Sequence, residues 1–483
     1  MSSTPSPTPL SRAGLFLLLA GQLLPLIDFS IVNVALEAMA RSLHASEVDL
    51  ELIVAVYGVA FAVCLAMGGR LGDNYGRRRL FFWGILLFTV ASLLCGLAWS
   101  VWVLLLARAL QGAAAALAVP QILATIHVTL RDRQHSRALS LYGAIGGLAF
   151  VMGQVLGGLL VSADIAGLGW RLVFLINLPI GIVVLAYARK NIPETRSPHP
   201  ASVDAPGTVL LALVILCLLL PLSLGPVQHW PWPYQAMLAA LPVLLYALWR
   251  TEIVQERRNA HPLLPPSLLR LSSIRFGLLI AVLFFACWSG FMFAMALTLQ
   301  AGAGLTALQC GNSFVAMGTA YFVGAILTNR AAARFRKTSI LAFGCVVQMA
   351  GVAGLIYTLH QVWPQPSVVS LIAATIPIGF GQAFIVASFF RIGLSEVPRE
   401  QAGAGSATLS TVQQASLGLG PALAGAVLTH FLGRTDRDYL SAATAVLVGE
   451  IGLVLVLTCV AIVVGRRELR ALREKGRVCT QGS

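Results

Sequence analysis

Residues 69–79 read GRLGDNYGRRR, between two apolar runs, 50–70 and 80–98. Each run is long enough to cross a bilayer as a helix. A short polar stretch between two such runs returns the chain, so the flanking helices are antiparallel and this stretch lies on one membrane face. The three consecutive arginines, Arg77, Arg78 and Arg79, mark that face as the side where basic residues collect. Gly69, Gly72 and Gly76 permit close helix approach and a tight turn. Asp73 falls at a helix end, where it can pair with arginines or meet the positive N-terminus of a neighbouring helix.

The same alternation extends along the whole chain. Apolar spans fall at 13–36, 50–70, 80–98, 102–127, 138–162, 172–189, 206–224, 234–250, 274–300, 309–329, 338–359, 367–390, 404–432 and 440–464. The chain is 58% hydrophobic and 11% charged, against about 25% charged in an ordinary soluble domain. Such a chain cannot cover its surface with polar groups, which makes it an all-α polytopic membrane protein with fourteen spans. The net charge of +14 would suggest nucleic acid in a soluble protein. Here the arginines sit in short loops, so no nucleic-acid partner is expected and anionic lipids are the natural partners of the basic face. Of the 33 lysines and arginines, all but Arg41, Arg171, Arg434, Arg437 and the intramembrane Arg108 fall on one side of this topology. That bias places the N- and C-termini in the cytoplasm.

The spans predict a disordered N-terminus (1–12), a six-helix unit (13–190), a linker carrying two further helices (191–270), a second six-helix unit (271–465) and a basic tail (466–483). Internal similarity supports two related units. GGRLGDNYGRRR after the second span aligns with GAILTNRAAARFRK after the tenth, setting Asp73 opposite Asn329. GQVLGG (Gly153, Gly157 and Gly158) in the fifth span resembles GPALAG (Gly420 and Pro421) in the thirteenth. Parallel half-repeats of this kind occur in transporters.

Within LLPLIDFSIVNVAL, residues 23–36, one carboxylate stands among apolar side chains: Asp28. A charge at mid-bilayer costs about 2.5–3.5 kcal/mol on insertion scales. Asp28 must therefore face the protein interior, pair, or take a proton. Counted along a span starting at 13, it lies past the midplane. Arg108, early in the fourth span, is the complementary charge, with Gln111 and Gly112 on its helical face. Two readings stay open: a protonation or cation site tuned by Arg108, and a static ion pair. Glu450 in the last span is a second intramembrane acid, serving cationic cargo or a second proton, or else neutral at a helix contact. Gln22, Phe29 and Asn33 share a face of the first span that can line a cavity. Gln111 and Gln154 are further polar candidates, with helix packing the alternative for each. His127 reads as structural.

The chain lacks a Walker loop, an HExxH and paired His/Cys ligands, so neither enzymatic activity nor a cofactor or metal is expected. The eight cysteines form no CxxC and lie mostly in apolar runs, where a thiol packs as a small hydrophobe.

GRLGDNYGRRR closely resembles the cytoplasmic signature of the major facilitator superfamily. LLLARALQGAAAAL (104–117), GWRLVFLINLPIG (169–181), LIDFSIVNVAL (26–36) and AGAGSATLSTVQQASLGLGPALAG (402–425) are similar to motifs of its fourteen-helix drug:proton antiporters. The resemblance implies two six-helix bundles plus two inserted helices. It implies proton-coupled export of amphipathic, often cationic compounds across a bacterial inner membrane, with small amphipathic substrates and protons as partners; a periplasmic adaptor stays open. It implies that the helices of Asp28 and Arg108 line the central cavity, and that Gly69, Asp73, Gly76, Arg77 and Arg78 gate the cytoplasmic side. One departure stands out: AFVMGQVLGG carries Ala149 and Gln154 where the antiporter motif has glycine and proline, so this helix keeps a backbone hydrogen bond that proline would remove. The alternatives to a drug pump are an exporter of one endogenous metabolite, peptide or siderophore, and a non-transporting membrane sensor.

Overall fold

The computed structural model describes residues 10–196, 204–225, 228, 230–258, 262–398, 402–434 and 438–481, and among them every regular element is helical. The fourteen long elements are α1 (Arg12–Leu43), α2 (Glu47–Tyr75), α3 (Arg77–Gly96), α4 (Val101–Thr129), α5 (Asp132–Ala163), α6 (Gly169–Asn191), α7 (Ala205–Leu224), α8 (Trp232–Arg257), α9 (Ser272–Gly302), α10 (Ala307–Ala332), α11 (Lys337–Val362), α12 (Val368–Gly393), α13 (Ala402–Arg434) and α14 (Tyr439–Gln481). Thirteen of them are long and apolar enough to span a bilayer among the described residues. The other, α5, runs for 32 residues.

Local chemistry sets the helix ends. Ser11 caps α1 by accepting the Gly14 N–H at 2.9 Å. Ser46 and Asp49 form a reciprocal capping box at α2, satisfying two of the N–H groups a helix start leaves open. Between α2 and α3 the chain turns through Gly76 at φ 110°, a backbone conformation that glycine adopts without strain.

Several boundaries differ from the sequence reading. The first helix continues past residue 36 to Leu43 because Ala38, Met39, Ala40 and Leu43 keep packing against the bundle. Asp28 therefore sits near the middle of a 32-residue helix. In the linker, the charged stretch from Glu252 is the last turns of α8, and Glu252 is 1% exposed. At the N-terminus, residues 1–9 lie outside the described set, while Leu10 is already buried. The basic stretch after 466 continues α14, and its side chains beyond Arg467 lie outside the described set.

The helices pack as two matching sets. In the first, α4 lies against α2 and α3, α5 against α1, and α6 against α3. In the second, α12 lies against α10 and α11, α13 against α9, and α14 against α11. The repeat seen in the sequence marks equivalent contacts. Gly68 of α2 meets the Ala116–Leu117 backbone of α4, and Gly324 of α10 meets Phe380 and Ala383 of α12. Likewise Gly153 of α5 packs on Ser30 of α1, and Gly420 of α13 packs on Ser289 of α9. Asn329, the proposed counterpart of Asp73, has a side chain outside the described set.

The two sets join through α2 against α13 and α5 against α10. Small residues let backbones touch there. A Cβ on Gly58 would stand 2.8 Å from the Gly418 Cα, and one on Gly158 would stand 2.7 Å from the Ala307 carbonyl oxygen. Further toward the end remote from residues 69–79, a Cβ on Gly425 would collide with the Glu51 carboxylate. The Gly158 and Gly425 contacts lie in the half of the molecule away from the arginine-rich loops, with the Gly58–Gly418 contact near the helix midpoints, so the bundles are closed together at that end. Large apolar side chains such as Phe16, Trp102, Leu106, Tyr246 and Val369 are exposed on the perimeter, the surface a lipid environment requires.

Candidate functional site

Five helices of the first bundle converge on Asp28, which is wholly buried. Its Oδ2 pairs with Arg108 Nη1 from α4. Its Oδ1 accepts the side-chain amides of Gln111 at 2.7 Å and of Asn177, from α6, at 3.0 Å. Gln111 closes the ring by accepting from Arg108 Nη1 at 2.7 Å. Ser92 Oγ, on α3, accepts from Gln111 at 2.9 Å and from Asn177 at 3.3 Å. The spacing of Arg108 and Gln111, one helical turn apart on α4, is what lets both reach one carboxylate.

The guanidinium is held from every side. Its Nε donates to the Ile53 carbonyl at 3.2 Å, and its carbon lies 4.4 Å from the centroid of the Tyr57 ring. Tyr57 in turn donates its hydroxyl to the Pro25 carbonyl at 3.2 Å, three residues before Asp28. Breaking such a pair by removing one partner leaves an uncompensated buried charge, at a cost of about 3–5 kcal/mol. Two groups remain poised within the network: the Asn177 Oδ1 has no donor among the described residues, and Cys95 Sγ reaches Gln111 Oε1 at 3.7 Å.

The other sequence candidates fall in four places. Asn33 turns its amide onto the Phe29 carbonyl of its own helix, 3.1 Å away. Phe29 packs into the apolar cluster of Tyr57 and Phe61, and Gln22 donates to the Tyr142 carbonyl of α5 at 3.3 Å. Gln111 belongs to the acid network. Gln154 lies between bundles, donating to the Ser30 carbonyl at 3.1 Å and to Met292 Sδ of α9 at 3.6 Å. Gly157 packs on Ile31, so the GQVLGG face is a helix contact. Glu450 is not part of the Asp28 cluster: it is buried in the second bundle, where Gln348 of α11 donates to it at 2.8 Å.

The loop of residues 69–79 is pinned by an ion pair of its own and by the chain that follows α6. Asp73 pairs with Arg77 at 2.6 Å. The Arg77 N–H donates to the Thr195 carbonyl at 2.9 Å. Glu194 accepts the Arg78 N–H at 3.1 Å and fills the space a Cβ on Gly76 would need. Gly69 faces Pro120 of α4. At the same end, His127 contacts His135, with ring nitrogens 2.7 Å apart.

Asn177, Ser92 and Tyr57 were not singled out from the sequence. Asn177 stands inside the quoted GWRLVFLINLPIG stretch, which was the available signal. Ser92 and Tyr57 are commonplace residue types in apolar helices and carried none.

The profile of the family described as Major Facilitator Superfamily matches residues 18–421. A probable actinorhodin transporter of Streptomyces coelicolor is 35% identical over 430 residues, 88% of this chain and 74% of that protein. The puromycin resistance protein pur8 of Streptomyces alboniger is 30% identical, covering 92% of this chain and 87% of that one. The drug efflux pump JefA of Mycobacterium tuberculosis is 29% identical, covering 88% and 82%. Among solved structures, a peptide transporter POT in complex with sulfate superposes with TM-score 0.69 at 16% identity, covering 95% of this chain and 97% of that one. That last similarity concerns the fold alone.

Proposed function

This chain belongs to the major facilitator superfamily, and on that premise we propose that it exports amphipathic, antibiotic-like compounds from the cytoplasm across a plasma membrane, driven by protons. The observation that carries the coupling is the Asp28 network: a carboxylate withdrawn from water, paired with one arginine and held by two amides. The substrate class is supported by the relatives, whose names speak of antibiotic transport, resistance and drug efflux.

The network suits reversible proton loading. With Asp28 ionised, Arg108 neutralises it and both amide N–H groups point at Oδ1. With Asp28 protonated, its hydroxyl needs an acceptor. Rotation of the Asn177 amide would offer the otherwise unpartnered Oδ1, while Arg108 retains Gln111 Oε1 and the Ile53 carbonyl. The proton is thus exchanged by a side-chain flip within a fixed frame. Closure of the bundles at the arginine-poor end is one state of alternating access; rocking about the small-residue seams would open that end and close the other. The arginine-rich loops then face the cytoplasm with both termini, and anionic lipid headgroups lie along them.

The test is transport by purified protein in vesicles under an imposed pH gradient, with puromycin, a cationic amphiphile and a neutral amphiphile compared. Export predicts cargo movement against its gradient, with proton flow the opposite way. Cargo movement indifferent to the pH gradient would sink the coupling. A second reading, a dedicated exporter of one compound, is favoured by relatives named for a single substance, such as tetracenomycin C or cephamycin. The same panel decides, because a dedicated carrier moves one cargo and ignores the others.

A further inference from the structure

The inserted pair α7 and α8 lies where the two bundles meet at the bilayer. Helix α7 contacts both α2 of the first bundle and α13 of the second. It presents Leu211, Ile215 and Leu219, one helical stripe at four-residue spacing. That stripe packs into a single buried cluster with Ala55, Val59 and Ala62 of α2 and Ala422 of α13. These small residues flank the Gly58–Gly418 contact, so α7 lies along the flank of the α2/α13 seam.

A polar anchor holds it there. Asp204, at the start of α7, accepts the Gly207 N–H at 2.8 Å, the Gln255 amide of α8 at 2.7 Å and the Leu263 N–H at 3.0 Å. Glu252 accepts the Leu264 N–H at 3.0 Å. Both carboxylates are buried, 2% and 1% exposed. Arg70, from the end of α2, donates to the Pro262 carbonyl at 2.6 Å and interacts electrostatically with both acids. An apolar helix that merely adds lipid-facing surface needs no such anchor, since exposed apolar side chains suffice in a bilayer.

We propose that the inserted pair is a lateral plug: α7 keeps acyl chains and membrane-dissolved cargo out of the α2/α13 seam, and the Arg70–Asp204–Glu252 cluster latches it to the first bundle. Lipid-dissolved compounds consequently cannot reach the bundle interface from that flank.

The test maps bilayer contact with a lipid-soluble diazirine that forms a carbene on illumination, using the full chain in phosphatidylglycerol/phosphatidylethanolamine vesicles. Labelled residues are located by mass spectrometry. In the native chain, label should fall on the exposed α3 face at Val90, Leu93 and Leu94 and be only weak at residues 55–62 and 415–422. Leu211→Ala/Ile215→Ala/Leu219→Ala should raise seam labelling about fivefold by removing the packed stripe, with α3 labelling unchanged. Arg70→Ala and Glu252→Gln should raise it as well. Native seam labelling equal to that of α3 overturns the plug, whether or not any variant folds. A seam left dark in the triple variant overturns α7 as its cover, and one left dark in both single variants overturns the latch. The experiment needs no cargo and no pH gradient, so its outcome is independent of the export reading.

Discussion

Asp28 and Arg108 can be tested apart because each compensates the other. In Asp28→Asn the buried guanidinium loses its counter-charge, and the fold loses about 3–5 kcal/mol, seen as a lower melting temperature in detergent. Asp28→Asn/Arg108→Gln removes both charges and should recover most of that loss. If Asp28 also carries the proton, the double variant is stable yet shows no pH-driven export; a static pair predicts a double variant that is both stable and active. Asn177→Leu separates the amide's part: the ion pair survives, while the acceptor for a protonated Asp28 is gone. Its pH–rate profile should therefore shift relative to the native chain, whereas a packing role alone lowers the rate uniformly across pH. The charged members of this network were legible in the sequence because a carboxylate and a guanidinium inside apolar runs demand each other. Ser92, Asn177 and Tyr57 were not, because neutral polar and aromatic side chains in membrane helices are ordinary packing groups, and only the convergence of five helices gives them a role.

At the scale of single elements, Glu396 shows how one loop carboxylate fixes the start of α9. Its oxygens accept the Ser273 N–H at 3.0 Å and the Ser272 hydroxyl at 2.8 Å. Partial burial pushes this carboxyl up, but the Ser273 and Ser272 hydrogen bonds and the Lys337 charge outweigh it and hold it below the ordinary value of 4.5. A carboxyl held low stabilises the fold above 4.5, and that contribution fades as pH falls through 4.5 toward the folded value. Amide exchange in the first turn of α9 should therefore be slower in the native chain than in Glu396→Gln at about pH 7, and the difference should shrink as the pH is lowered below 4.5. Equal exchange at neutral pH would show that the cap contributes nothing. Gly76 belongs to the same scale: Gly76→Val meets both a φ of 110° and the Glu194 carboxylate. It should loosen the α2–α3 turn at a cost of about 1–3 kcal/mol, measured by thermal unfolding. The two glycine motifs were readable as repeats because helix contacts at Gly68 and Gly324, and at Gly153 and Gly420, impose the same small residue twice. Asp204 and Glu252 were hidden for the opposite reason. They lie where spans give way to loops, and in sequence they look like the solvated charges of a linker.

For the whole molecule, the seam between bundles is the element that the alternating access proposed above would have to open. Gly58 and Gly418 meet with no side chain between their backbones, halfway along α2 and α13, and the closure at Gly425 against Glu51 lies beyond them toward the arginine-poor end. A leucine at position 58 cannot be accommodated with the seam shut, and overpacking of this kind costs about 1–3 kcal/mol. Opening the seam relieves the clash, so Gly58→Leu penalises the closed state specifically and shifts the population toward the form open at the arginine-poor end. Spin labels on cysteines replacing Ser42 of the first bundle and Gly433 of the second, both exposed at that end, report the separation directly by dipolar spectroscopy. The native chain should populate a short separation and Gly58→Leu a longer one. Export should fall at least about tenfold, because a shift of about 1.4 kcal/mol already makes the return to the closed state ten times rarer. An unchanged separation with full export would show that the two bundles do not hinge at this contact, and the α5/α10 seam, where Gly158 meets Ala307, would then carry the motion alone.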